Sequence, residues 1–298
     1  MVKAETSYAG DAKLEDALLA AGVTMPIAAV RELVAGVAAT PDGYEDWTVL
    51  VAPKADAALR SQLNALRAEI VAAADGMFPY GPAPAERLSA LQAELVRRGL
   101  DGFIVPRTDE HQGEYVPTRA ERLRWVTGFS GSAGVAIVLV GRAAVFVDGR
   151  YTLQVVDEVD TEHVEPVPLA EKSPWDWIAG ALVEGNTLGY DPLLLTESSV
   201  ARYRKAAEKA GGSLVAVNDN PVDAVWPDQP AAPLAPVVVH DEIYAGDSAV
   251  AKRTTLGAEL AEKNVAAAVL TMPDSIAWLL NIRGGDVPHT PLPLSFAI

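Results

Sequence analysis

From about residue 85 to residue 222 the chain alternates amphipathic helical stretches with short apolar runs, and few folds satisfy that order. The stretch ERLSALQAELVRRG places Leu88, Leu91, Leu95 and Val96 at helical spacing and stops at Gly99. DGFIVP follows as a strand. GVAIVLV and AAVFVD read as two more apolar strands, separated by Gly141 and Arg142 in a hairpin signal. RYTLQVVDEV reads as a helix, HVEPVP as a strand, SPWDWIAGALV as a helix entered at Ser173 and Pro174, and TLGYDP as a strand. Thr196 is placed to cap a helix over ESSVARYRKAAEKAGG, and SLVAVND ends the series as a strand. Helices and strands in this order imply an α/β layer fold with a mixed sheet flanked by helices.

The flanking segments have other patterns. Residues 1–76 form a small, mainly helical, alanine-rich module. Its helices run through Leu14, Leu18 and Leu19, then through Ile27, Val30, Leu33, Val34 and Val37, then through Leu59, Leu63, Leu66 and Ile70. Residues 77–84 hold three prolines and read as a linker, and residues 223–236 read as a second, Pro-rich linker. Residues 237–298 give a strand in PVVVH, a helix in AVAKRTTLGAELAEKN, a strand in VAAAVLTM, a helix in PDSIAWLLN and the start of a strand in LSFAI. This is the expectation for a domain that stops partway.

Composition removes whole classes of function. Without cysteine the chain has no disulfide, thiolate metal site or cysteine nucleophile. Its formal charge is 24 − 40 = −16, with no basic stripe, which repels a phosphate backbone, so no nucleic-acid partner is expected. No apolar run is long enough to cross a bilayer, and the first residues lack the apolar core of a secretory signal. A cytoplasmic location, with no membrane partner, is the expectation.

Three local motifs remain. In GFSGSAG, residues 128–134, the glycines do not follow G-x-G-x-x-G, and a strand rather than a helix comes next. Ser132 stands where a serine elbow needs glycine, so the motif reads as a tight turn feeding a strand. In TDEHQGEY, residues 108–115, Asp109, Glu110, His111 and Glu114 fall within six positions. They read either as a weak metal site or as a polar loop whose charges meet Arg107, Arg119, Arg122 or Arg124. The four histidines include no H-E-x-x-H pair; His163 and His240 read as surface and structural, and His289, in a proline-rich loop, is a candidate functional residue. Trp125 and Phe129 either line an apolar wall or pack in the core.

The stretch IVPRTDEHQGEYVPTRAERLRWVTGFSGSAG, with VFVDGRYTLQ after it, resembles the first domain of the aminopeptidase P (Xaa-Pro aminopeptidase) family. NPVDAVWPDQP resembles that family's interdomain linker, and PDSIAWLLNIRGGDVPHTPLPLSFAI resembles the start of its second domain. The likeness covers about residues 87–298 and leaves the first 82 outside. It implies a creatinase N-terminal-type α/β domain over 85–222 and a partial second domain of the same type over 237–298. It also implies a separate catalytic domain holding two divalent metals, usually manganese, on two aspartates, a histidine and two glutamates. That domain belongs to a metallopeptidase that cleaves before a penultimate proline. On this resemblance the chain itself carries no catalytic residue and no cofactor, 109–114 is not the metal site, and the chain alone is inactive. Its role is to shape the substrate entrance and the oligomer. Arg150, in VDGRYTL, is expected to reach the bound peptide with its planar fork of donors, directed by Asp148 and Tyr151. Arg283, Asp286 and His289 form a second candidate group. The implied partners are a peptide with a penultimate proline, met through the catalytic domain, and further copies in a homo-oligomer. The alternative is a stand-alone peptide- or protein-binding module without hydrolase activity.

Overall fold

The computed structural model describes residues 8–38, 47–74 and 83–298. They fall into two compact units, Met1–Gly81 and Pro82–Ile298.

In the first unit, α1 (Asp11–Ala20), α2 (Ile27–Ala38) and α3 (Ala57–Ala74) enclose Leu14, Leu18, Val30, Val34, Trp47, Leu59, Leu63 and Leu66. Burying these apolar rows is what holds helices this short together. Trp47 sits in a 3-10 turn and donates its indole N–H to Asn64 Oδ1 at 3.0 Å. Leu19, expected on the inner face, is exposed, because the buried stripe runs through Leu14 and Leu18. Of the expected linker 77–84, residues 77–82 lie outside the described residues.

The second unit opens with α4 (Pro84–Arg98). Pro84 occupies the first turn, the Ala83 N–H donates to Glu86 Oε2 at 3.1 Å, and Gly99 ends the helix at φ 70°. Leu88, Leu91 and Leu95 are buried, whereas Val96 points out. Then come β1 (Gly102–Pro106), α5 (Arg122–Thr127), β2 (Gly134–Leu139), β3 (Arg142–Val147), α6 (Gln154–Glu158), β4 (Val164–Pro168), α7 (Pro174–Ala181), β5 (Thr187–Tyr190), α8 (Glu197–Lys209), β6 (Ser213–Ala216) and α9 (Pro221–Val225). The sheet order is β4-β3-β2-β1-β5-β6. β2 pairs antiparallel with both β1 and β3, and the other neighbours are parallel, so the sheet is mixed. Ile104, Ile137 and Phe146 pack with Trp177, Ile178 and Tyr203 of α7 and α8. The alternate residues Phe103, Val105 and Val138 are equally buried, so both faces of the sheet are covered. Ser173 Oγ accepts the Asp176 N–H and Thr196 Oγ1 accepts the Ser199 N–H, and these caps start α7 and α8.

The expected helix over RYTLQVVDEV is shorter than its pattern, because α6 begins only at Gln154. Before it, the N–H groups of Arg150 and Tyr151 bond back to Asp148, which makes a turn.

Residues 237–298 contain β7 (Val238–Val239), α10 (Glu242–Ala245), α11 (Ala249–Glu262), α12 (Pro273–Leu280) and β8 (Ile282–Arg283). β7 and β8 form a two-stranded antiparallel pair. The strand expected in VAAAVLTM is absent from the described structure: Leu270 makes one isolated bridge to Ala297, and LSFAI contributes no more than that bridge. An apolar run becomes a strand only with a continuous partner, and neither run has one here.

The Pro-rich stretch 223–236 begins in α9 and is irregular after Val225, but it is tied down. Trp226 is buried and stacks on Trp125 at 5.2 Å. Arg122 makes a bidentate pair with Asp223 at 2.7 and 2.8 Å, and Arg119 donates to Pro230 O at 2.9 Å.

Candidate functional site

The turn after β3 carries the candidate site. Asp148 ends the strand's exit and accepts the backbone N–H of Arg150 at 2.9 Å. Its two carboxylate oxygens also take Arg150 Nε at 3.1 and 3.2 Å and Nη2 at 2.8 Å. This fork holds the Asp148 carboxyl below its usual range, and the same bonds push the Arg150 guanidinium further up. The Arg150 side chain is nevertheless 59% exposed, so it is both directed and accessible. Its guanidinium lies 5.0 Å from the centre of the Tyr151 ring.

Tyr151 is fixed in turn. Its ring meets Phe129 edge-on at 5.6 Å, and its hydroxyl lies 2.7 Å from Ser132 Oγ. Ser132 Oγ donates to Glu114 Oε1 at 3.2 Å, and that oxygen is 3.9 Å from Arg150 Nη1. Three segments therefore converge: the loop at 108–115, the glycine turn at 128–134 and the turn at 148–151. The glycine turn makes this possible. Gly128 caps α5 at φ 86°, and a Cβ on Gly131 would strike the Phe129 ring at 2.2 Å and Tyr151 at 2.9 Å. Phe129 and Trp125 belong to the core and line no open wall.

The loop 108–115 is held by its own backbone. Asp109 is 1% exposed, and its Oδ1 accepts the N–H groups of His111 at 3.0 Å and Gly113 at 3.4 Å. Thr108 Oγ1 donates to Leu194 O, and the His111 ring stacks on Phe296 with centroids 4.4 Å apart. Three of the arginines expected to meet the loop's carboxylates bond elsewhere: Arg107 pairs with Glu121, Arg122 with Asp223, and Arg119 bonds Pro230 O, while Glu114 faces Arg150. Among the described residues no three His, Asp or Glu side chains are grouped so as to hold a metal ion.

The second group has a different character. Asp286 is a staple: its oxygens accept the N–H groups of Ala235 at 2.9 Å and Leu294 at 2.8 Å. Arg283 Nη1 donates to Ile282 O, and His289 is exposed at φ 58° in the turn closed by Thr290 N–H to Val287 O. Among the described residues, no hydrogen bond or ion pair joins Arg283 or His289 to the Arg150 cluster. His163 bonds Asp160 at the surface. Glu114 and Ser132 as neighbours of Arg150 were not visible in the sequence, since each contact joins segments 18 or 19 positions apart.

A mixed sheet covered on both faces is the architecture of a known class. Residues 87–223 and, separately, 228–298 match the family described as the Creatinase/Prolidase N-terminal domain, and the chain belongs to that family. Within it, similar proteins include probable Xaa-Pro aminopeptidases P. The chain is 40% identical over 216 residues to a probable Xaa-Pro aminopeptidase P of Paracoccidioides brasiliensis, covering 72% of this chain and 35% of that one. It is 39% identical over 220 residues to the counterpart in Penicillium rubens. Among solved structures it resembles the X-prolyl aminopeptidase of Caenorhabditis elegans, described as a cytosolic enzyme with a di-nuclear active site. That likeness has a TM-score of 0.66 at 30% identity and covers 72% of this chain and 37% of the other. The chain thus spans about a third of the length of these relatives. No helix among the described residues is long and apolar enough to cross a membrane.

Proposed function

We propose that residues 87–298 are the non-catalytic N-terminal part of an Xaa-Pro aminopeptidase-like metallopeptidase, one that removes an N-terminal residue preceding proline. They shape the entrance to a reaction centre that lies in sequence beyond this one, together with its two divalent metals. The observation that carries the reading is the 40% identity over 216 residues combined with a share of only 35% of the relative's length. In this reading 85–222 and 237–298 are its first and second domains, 223–236 joins them, and residues 1–76 and 77–84 are an added module and its connection. Arg150 is the peptide-facing cation, held by Asp148 and Tyr151, and Arg283 and His289 supply further contacts. A cytosolic setting and a homo-oligomer complete the proposal.

The test has two arms. The 298-residue chain, incubated with manganese and an Xaa-Pro tripeptide, should release no amino acid. Joined to the C-terminal two thirds of the Paracoccidioides relative, it should release one, and Arg150→Ala in that chimera should lower kcat/KM with the melting temperature kept. Release by the chain alone, abolished by a chelator, would overturn the proposal. Peptide binding without cleavage in the folded chimera would favour a binding module instead; the exposed Val239, Ile243 and Tyr244 offer such a module an apolar surface.

A further inference from the structure

Arg150 sits on an exposed turn, and a side chain with about 2 kcal/mol of rotamer entropy does not hold one direction there without restraint. Asp148 engages Nε and Nη2. The Nη1 edge faces Glu114 at 3.9 Å, and the guanidinium plane rests against Tyr151.

The direction of the hydrogen bonds behind this arrangement can be worked out. An ionised carboxylate only accepts, and a serine hydroxyl has one proton to give. Ser132 therefore spends its proton on Glu114 Oε1, at 3.2 Å. The 2.7 Å contact between Ser132 and Tyr151 must then be donated by the tyrosine. The chain of donation runs from Tyr151 Oη–H to Ser132 Oγ, and from Ser132 Oγ–H to the Glu114 carboxylate. Glu114 faces Arg150, and Arg150 lies on the Tyr151 ring, so the circuit closes on itself. Each bond polarises the next in one direction, and the negative charge on Glu114 sets which way.

We propose that Glu114 and Ser132 are positioning residues for Arg150. They lock the Tyr151 ring under the guanidinium and hold the Nη1 edge on the side of Glu114. This rests on the reading of Arg150 as the peptide-facing cation.

The experiment reads Arg150 directly. Its Nε–H resonance in the nitrogen-15-labelled 298-residue chain is assigned by its loss in Arg150→Lys. In the unmodified chain this group should be ordered, and Ser132→Ala, Tyr151→Phe and Glu114→Gln should each drop its order parameter below about 0.6, the range of flexible groups. Ser132→Thr, which keeps the hydroxyl, should restore order. In the chimera, Ser132→Ala should raise KM about fivefold with kcat little changed, the factor that one ordinary hydrogen bond commands. An Nε–H that is ordered in every variant would show that Asp148 alone suffices and would overturn the proposal, as would one already mobile in the unmodified chain. Titration of the chimera with an Xaa-Pro peptide separates the two ideas. If the variants loosen Nε–H but the peptide never shifts it, the positioning network stands and the peptide-facing role of Arg150 fails.

Discussion

Two regions match the same family and are built very differently. Around the six-stranded sheet, β1 is buried at every position, and Phe146 and Trp177 are fully enclosed. In 237–298 the two strands have two residues each, and Val238, Val239, Ile243, Tyr244 and Trp278 face outward. Its long helix α11 buries a single residue, Lys252. That ammonium donates to Trp278 O at 3.0 Å and Asn281 Oδ1 at 2.7 Å, so a polar clasp joins α11 to α12 where the first region uses an apolar core. Helical periodicity is present in both regions. Of these two regions, the one with a continuous sheet as a facing surface buries its apolar residues more fully.

The largest effect should come from the sheet core. Phe146→Ala removes a fully buried ring packed edge-on against Trp177 and should cost about 3–5 kcal/mol by chemical denaturation. Lys252→Ala should come next. It deletes two charge-assisted bonds and should cost about 2 kcal/mol, read as faster amide exchange confined to α11 and α12. Faster exchange throughout the sheet as well would mean that the two regions unfold together. Ser173→Ala, the lost cap of α7, should cost about 1 kcal/mol. Val239→Ala, at a side chain 79% exposed, should change stability by no more than about 0.5 kcal/mol. A cost close to that of Phe146→Ala would erase the contrast, because the face would then have to be covered.

Two carboxylates of the first region should respond to pH with opposite sign. Hydrogen bonds from Arg97, and then Arg98, bring Glu94 down to about 2. Its stabilising contribution is fully present above its ordinary value of 4.5 and disappears as pH falls toward about 2, so Glu94→Gln should flatten the acid side of the stability curve. Burial pushes Glu121 up, with Arg107 and Arg124 offsetting only part of it. The folded chain then holds a proton that the unfolded chain has released. Stability should fall as pH rises above the ordinary carboxylate range, and Glu121→Gln should remove that fall.

Much of the first region was legible because its signals are local. The hairpin at Gly141 and Arg142, the caps at Ser173 and Thr196 and the stop at Gly99 all act within a few residues. What stayed hidden depends on distant partners. VAAAVLTM carries a strand's composition without a strand's neighbour. The resemblance points to Arg150, Asp148 and Tyr151, whereas in the sequence Ser132 only breaks a serine-elbow pattern. Its place beside Glu114 and Tyr151 exists only once three segments have folded together.

The Pro-rich stretch behaves as a strut. Gln229 reaches both Arg119 O and Asp223, Arg119 grips Pro230, and the Ala235 N–H is pinned by Asp286. Residues 223–230 are thereby bonded to the region before them, and Ala235 to the region after. The joint that composition marks as the softest point of the chain is moored at both of its ends.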